Sequence, residues 1–372
     1  MGGGLVRLAG TGHREALPLR RKIASLALRE RNEGAAASGG GRLASISDYV
    51  LTLAPRTVGI TLLAGSGSRW VESLAAARSA PPREGEEEWR SRGRSYDPSR
   101  PRGLFPVRDH LRHRSPGRDG LIPIAAYALS ALHGLGRHLI VVRGWEREID
   151  GELLAPLEVS AADRVFFTQE AALGKPLGHG DAVWQCRSLW KDADYVLANF
   201  GGDASSRRTA RSALLALDAL NALGEETDLL VPAAPVREPS YPIVLDAEGR
   251  PRSFGHAKLQ GRLPAGGARE SGYTNVGLRL YRAGALFDTV ERFRRDFWVE
   301  GEGYAIPGND PAGREFALDN VDADLAARGR ARILAFARPQ ELRPAKSLED
   351  IPAFEAAVAD VVAEDSLPEE DE

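Results

Sequence analysis

The run Thr57–Leu63 is short, continuous and β-rich, and it opens directly into Gly65-Ser66-Gly67-Ser68-Arg69. A glycine-rich turn after a strand aims backbone N–H groups at one place, where a pyrophosphate or triphosphate can sit. Two common phosphate loops fail by letter. A dinucleotide fingerprint needs a third glycine where this chain has Trp70. A P-loop needs Gly-Lys-Ser/Thr, whereas Gly174-Lys175 is followed by Pro176. What is left, Leu63-Ala64-Gly65-Ser66-Gly67-Ser68-Arg69, is open between a phosphate cradle and a plain strand–helix turn. Lysine is scarce: Lys22, Lys175, Lys191, Lys258 and Lys346 are the only five among 49 basic residues, so each merits a chemical question.

Other suggestive groupings read as structural. Asp109-His110-Leu111-Arg112-His113 has metal-like letters, but in an Arg-rich loop it is expected at the surface. Of Asp319, Asp322 and Asp324, the first or a neighbour is expected to cap a helix and the others to face water. Trp184 and Trp190 are expected to pack a core from one helix. Cys186, the single cysteine, excludes an internal disulfide and a Cys-based zinc site, and reads as a small buried hydrophobe.

The elements that must position these residues alternate. Strands are expected at His138–Val142, Arg164–Thr168, Tyr195–Phe200 and Thr227–Ala233. Helices are expected at Ile122–Gly134, near Trp145–Leu154, after Gly180, and at Ser206–Leu223. This alternation implies right-handed βαβ units and a mainly parallel sheet covered on both faces. Shorter strands follow at Ile243–Asp246, Pro251–Phe254 and Tyr273–Tyr281, then helices at Gly284–Asp296, Phe316–Arg328 and Ala353–Ala363. Residues 1–55 read as a helical N-terminal extension, with helices at Glu15–Arg31 and Ser45–Leu53. Residues 71–100 read as a charged surface insertion with a helix at its start, and 346–372 as a C-terminal helix and acidic tail.

Composition bounds the function. The 372 residues are 43% hydrophobic and 27% charged, enough for a sizeable core. A formal charge of −3 gives no global electrostatic reason to bind nucleic acid or an anionic bilayer. No apolar stretch approaches the length of a membrane span, and Met1–Leu28 lacks the apolar block of a secretory signal, so a soluble, cytoplasmic protein is expected. No hexapeptide repeats of the left-handed β-helix type occur.

Five further segments carry a resemblance. Pro101-Arg102-Gly103-Leu104-Phe105-Pro106-Val107 resembles the second half of a signature whose usual form is Leu-x-x-Gly-x-Gly-Thr-Arg followed by Pro-Lys-x-Leu. Gln169 with Pro176-Leu177-Gly178-His179-Gly180-Asp181-Ala182 resembles a uracil-recognition loop. Phe200-Gly201-Gly202-Asp203 resembles a strand-end metal aspartate, and Thr274-Asn275-Val276-Gly277 the segment that supplies a second metal ligand. Glu315-Phe316-Ala317-Leu318-Asp319 is similar to a Glu-Tyr-Tyr-Leu-Thr-Asp stretch. With the glycine loop these run in order over roughly residues 57–340. The family they resemble is the sugar-1-phosphate nucleotidyltransferases, most nearly the UDP-sugar pyrophosphorylases.

That resemblance implies a Rossmann-like three-layer α/β nucleotidyltransferase fold over residues 56–345, with a mixed, mainly parallel central sheet and a smaller sugar-binding β subregion. It implies Mg²⁺-dependent transfer of UMP from UTP to a sugar 1-phosphate. Arg69 would hold the leaving pyrophosphate with the amides of residues 63–68, and Arg102, where lysine is usual, would reach the α-phosphate. Asp203 and Asn275 would bind Mg²⁺; Gln169, Gly178, His179 and Gly180 would take the base. Lys258 would meet the sugar phosphate, and Tyr241, followed by Pro242 instead of glycine, would touch the sugar. The alternatives are another base or acceptor, or a catalytically silent nucleotide- or sugar-nucleotide-binding subunit. A homo-oligomer is compatible with the sequence.

Overall fold

Unbroken runs of β-branched and leucine residues set the strands. The computed structural model describes residues 25–33, 36, 43–63, 67–80, 87–111, 120–160, 162–171, 173–175, 177–237, 242–247, 249–254, 269–309, 314–335 and 337–366. The first half contains α1 (Ile46–Leu53), β1 (Thr57–Leu62), α2 (Ser68–Ser79), α3 (Glu88–Ser95), β2 (Pro106–Arg108), β3 (Leu121–Pro123), α4 (Ala125–Leu132), β4 (Arg137–Val142) and β5 (Arg164–Thr168). There follow α5 (His179–Gln185), β6 (Tyr195–Phe200), α6 (Arg207–Ala222), β7 (Leu229–Pro235), β8 (Pro242–Leu245), β9 (Pro251–Phe254), β10 (Arg269–Asn275) and β11 (Arg279–Arg282). The last are α7 (Ala283–Phe297), β12 (Trp298–Val299), β13 (Gly303–Tyr304), α8 (Leu318–Ala327), β14 (Ala331–Leu334) and α9 (Ile351–Asp365).

Among the described residues ten strands form one mixed sheet, in the order β5-β4-β1-β6-β11-β7-β10-β8-β9, with β14 also on β7. Strands β5, β4, β1 and β6 are mutually parallel. β11 runs against both β6 and β7, which leaves β7 and its parallel neighbour β14 aligned with the first four. β10, β8 and β9 extend the far edge as an antiparallel ribbon.

Both faces of the sheet are covered, as a continuous apolar run such as β1 requires. Val58, Ile60 and Leu62 pack on one side with Val183 of α5, Val290 of α7 and Leu325 of α8. On the other side Leu197 packs with Leu214 of α6 and Tyr49 of α1, and Ile140 with Leu129 of α4 and Phe354 of α9. The result is three layers. A buried polar seam ties them: Thr61 Oγ1 donates to Asn199 Oδ1 at 2.9 Å, and Asn199 Nδ2 donates to the Ala128 carbonyl at 2.7 Å. No helix among the described residues is long and apolar enough to cross a membrane.

Four expectations change. The insertion 71–100 is not a surface loop at its ends: α2 and α3 pack inward, with Trp70 edge-on to Phe105 at 5.0 Å and Tyr96 edge-on to Phe105 at 5.1 Å. The expected strand Tyr273–Tyr281 is two, β10 and β11, because Gly277 takes a left-handed φ of +83° between them. The start of the helix expected from Ile122 is strand β3, paired with β2. Trp190 lies beyond the end of α5 and not on it. The N-terminal helix expected at Glu15–Arg31 is described only at 25–33, where Ala27 joins the core around α6.

Candidate functional site

Parallel strands deliver their carboxyl ends to one edge, and open α/β sheets bind ligands there. Leu63 follows β1 with its amide on Val141 O at 2.8 Å, and its side chain packs over Gly103 and Gly201 in the core. Ala64, Gly65 and Ser66 lie outside the described residues. Gly67, at a left-handed φ of +60°, is the N-cap of α2, with Ser68 and Arg69 in its first turn; Arg69 is exposed.

Arg102 bridges two glycine turns. A Cβ built on Gly202 would stand 2.9 Å from its Nη2, and one on Gly67 3.6 Å from its Nη1. The Trp70–Tyr96–Phe105 cluster and the bond from Tyr96 Oη to Pro101 O, 2.6 Å, hold the short helical turn that carries it. Among the described residues the guanidinium has no hydrogen-bond partner, and burial lowers its pKa against the fields of Asp203 and Asp350.

Asp203 sits one residue on, 8% exposed. Burial pushes its carboxyl up to about 6, while the Phe200 amide, Arg279, Arg102 and Lys346 pull the other way. One oxygen, Oδ2, accepts from the Phe200 amide at 3.2 Å. Gly277 presses against the same carboxylate: a Cβ there would fall 2.2 Å from Oδ2. Asn275 belongs to this turn, but its Oδ1 already accepts from the Gly277 amide at 3.1 Å.

Lys346 is the residue that reading the sequence missed. Ala345 donates its amide to Gly202 O at 3.0 Å, so the segment before α9 docks on the Asp203 turn and brings the Lys346 charge to bear on Asp203. The only signal in the sequence was the scarcity of lysine.

A second group of residues faces the same edge from β5 and α5. Gln169, 6% exposed, donates from Nε2 to Gly178 O at 3.3 Å. Gly178 has φ +96°, and a Cβ on it would lie 2.3 Å from Phe316 O; one on Gly180 would lie 2.9 Å from the same atom. The glycines thus let the loop close on Phe316, with Gly180 N donating to Phe316 O at 2.9 Å and Phe316 N to Leu177 O at 2.7 Å. His179 Nδ1 accepts from the Leu318 amide at 2.8 Å, which leaves the proton of a neutral imidazole on Nε2, 3.6 Å from Asp319 Oδ2. Its ring stands edge-on to Phe200 at 5.0 Å.

Arg279 joins the two groups. It is buried, donates from Nε to Asp322 at 2.6 Å, from Nη2 to Asp319 at 2.8 Å and from Nη1 to Gly277 O at 3.1 Å, and lies over the Phe200 ring at 5.3 Å. Here two expectations are corrected: Asp322, expected to face water, is 1% exposed, and Asp319, expected as a helix cap, is 5% exposed, because both serve Arg279 as counter-charges. Cys186 is buried as expected, which drives its thiol up to about 12. Tyr241 and Lys258 lie outside the described residues, so the site reads without them.

No family model matches the chain, and no curated protein does either. The functional argument therefore rests on geometry. Among the described residues no three His, Cys, Asp or Glu side chains gather to hold a metal. Magnesium needs no such trio, since one or two protein oxygens with phosphates and water suffice. Asp203 fits that role. Its Oδ1 accepts no hydrogen bond among the described residues, and a cation would restore the charge that burial disfavours.

Proposed function

We propose that this chain is a nucleotidyltransferase of the sugar-1-phosphate class, moving UMP from UTP to a sugar 1-phosphate with release of pyrophosphate. The observation that carries the reading is the meeting of Gly67, Arg102, Asp203 and Lys346 at the carboxyl ends of β1 and β6. Two cations and a glycine turn suit a polyphosphate, and one buried carboxylate within reach of both charges suits the divalent ion that accompanies it.

In the reaction a sugar phosphate oxygen forms a bond to the α-phosphorus, and the α–β bridging bond breaks with its electrons leaving on pyrophosphate. Catalysis of this kind is positioning and charge stabilisation. Arg102, which has no hydrogen-bond partner among the described residues, neutralises charge on the α-phosphate; its planar fork replaces the single ammonium usual in this class. Lys346, whose charge is felt at Asp203, adds positive charge to the same turn. Arg69, on the first turn of α2, meets the departing pyrophosphate. Asp203 and, through its remaining lone pair, Asn275 would hold Mg²⁺, which when bound supplies charge neutralisation across the phosphates. Gln169 has both a donor and an acceptor for a uracil edge, and the closed Gly178–Gly180 loop forms the wall beside it. The antiparallel β8–β10 ribbon is the natural floor for the sugar.

Pyrophosphate release, measured with Mg²⁺ and four nucleoside triphosphates against a panel of hexose and hexosamine 1-phosphates, tests the proposal. Release with UTP and one sugar, abolished by Asp203→Ala, supports it. Release with another triphosphate overturns the uracil assignment. Silence across the panel from folded protein, with Mg·UTP still bound, favours a nucleotide-binding subunit without turnover.

A further inference from the structure

Gln185 closes α5, the helix whose N-cap is Gly178. Its Oε1 accepts from the Glu170 amide at 2.9 Å, and its Nε2 donates to the Glu170 carbonyl at 3.1 Å. Nε2 also donates to Asp181 Oδ2 at 2.7 Å. A primary amide carries donor and acceptor side by side, which lets it answer both backbone groups of one residue. Asp181 is itself fixed: it is 1% exposed, and its other oxygen accepts from Tyr304 Oη at 2.7 Å.

The residue before Glu170 is Gln169, whose backbone amide donates to Val142 O at 2.7 Å. The sheet thus holds Gln169 from one side, and α5 holds the next residue from the other. The Gln169 side chain has one hold of its own, the bond from Nε2 to Gly178 O, which at 3.3 Å is long. A small further separation would break it. The three shorter Gln185 bonds set that separation, because they join residue 170 to the helix that Gly178 caps.

With Nε2 so engaged, Gln169 Oε1 accepts no hydrogen bond among the described residues. An acceptor in that position suits the N3–H of uracil, whereas cytosine has a bare lone pair at N3. Turning the amide by half a revolution would offer cytosine a donor, but it would also set Oε1 against Gly178 O. On the uracil reading given above, we propose that Gln185 is a positioning residue for base choice. It keeps Gln169 in the orientation that accepts from uracil and refuses cytosine.

Calorimetry on the full chain with Mg·UTP and Mg·CTP tests this, and reads recognition whether or not turnover follows. The parent is expected to favour UTP, and Gln185→Leu to lower the UTP-to-CTP affinity ratio about five- to tenfold. Gln185→Glu is nearly equal in size, loses both donated bonds and should do the same. It carries the test should the leucine variant fail to fold. Gln169→Leu should remove the preference, and adding Gln185→Leu to it should change the ratio no further. A parent-like ratio in the Gln185 variants, or equal weakening of both nucleotides, would overturn the positioning role and leave the uracil reading standing. A parent chain that does not favour UTP would overturn both.

Discussion

Replacing Arg279 by leucine should be the most damaging single change to the scaffold of the site. The side chain of Arg279 is 5% exposed and the side chains of its partners Asp319 and Asp322 are 7% and 2% exposed, so solvent cannot take over the role of counter-charge. Removing one partner from a buried ionic group costs about 3–5 kcal/mol. The lost bond to Gly277 O lies within the uncertainty of that figure, so a loss of about 4 kcal/mol is expected, or roughly 5 °C in Tm for a chain of this size. The deficit should depend on pH with a definite sign. Burial already raises the Asp322 carboxyl, and Arg279 opposes it most, with the Tyr281 hydroxyl helping. Without the arginine the folded state holds a proton on Asp322 that the unfolded state releases. The variant therefore recovers relative to the parent as pH falls from 8 toward 5. Urea unfolding followed by tryptophan fluorescence at pH 8, 6.5 and 5 measures this. A deficit below about 1 kcal/mol at pH 8, or one that does not change with pH, would refute the counter-charge argument.

Gly277→Ala tests the Asp203 contact: to relieve a 2.2 Å approach the carboxylate must move by about 1 Å, which at a reacting centre costs about 100-fold in turnover. The left-handed φ adds only about 1–2 kcal/mol of strain, so circular dichroism should report a folded chain. Lys346→Met should lower pyrophosphate release at least tenfold with little change in Tm; unchanged turnover would remove Lys346 from the site. Gly178→Ala should separate the loop from Phe316, read as weakened UTP binding in calorimetry with Mg²⁺ affinity unaltered. His138, buried against Gly59, is held neutral with its pKa lowered to about 4 by burial and by His133. Its contribution is intact above pH 6.5 and is lost as pH falls toward 4, because the unfolded state takes up the proton first. Parallel urea titrations of His138→Leu should show a shallower loss of stability over that window.

The sheet was legible because its central strands are unbroken apolar runs. Arg164–Thr168 and Tyr195–Phe200 coincide with β5 and β6 to the residue. Where a period was interrupted, reading failed. The Asn275–Gly277 turn hides inside an apparently continuous strand, and Trp190 follows α5 closely enough to look helical. The site residues of the resemblance converge in part: Arg102 with Asp203, and Gln169 with Gly178. What could not be read is pairing at a distance. Nothing local to Asp319 and Asp322 announces an arginine 40 and 43 residues earlier, so of two carboxylates that neutralise a buried cation one looked like a helix cap and the other like a solvent-facing charge. Lys346 escaped for the same reason, as it reaches the Asp203 turn through a backbone bond between Ala345 and Gly202.

The turn that bears Asp203 is fastened from far down the chain. Ser206 donates its hydroxyl to Asp365, 159 residues later, and its amide to Glu341 at 3.1 Å. At about 5–20 residues per second of synthesis, roughly 10–30 s separate the appearance of Ser206 from that of its last clamp. At the start of that interval the nascent chain owns four of the ten strands, β1, β4, β5 and β6; the other six are made during it, and the anchor of the Asp203 turn comes last. On the proposed function, ligand capture is thus among the last properties to be acquired on the ribosome, and nascent chains halted before α9 should fold their β1–β6 core without gaining affinity for Mg·UTP.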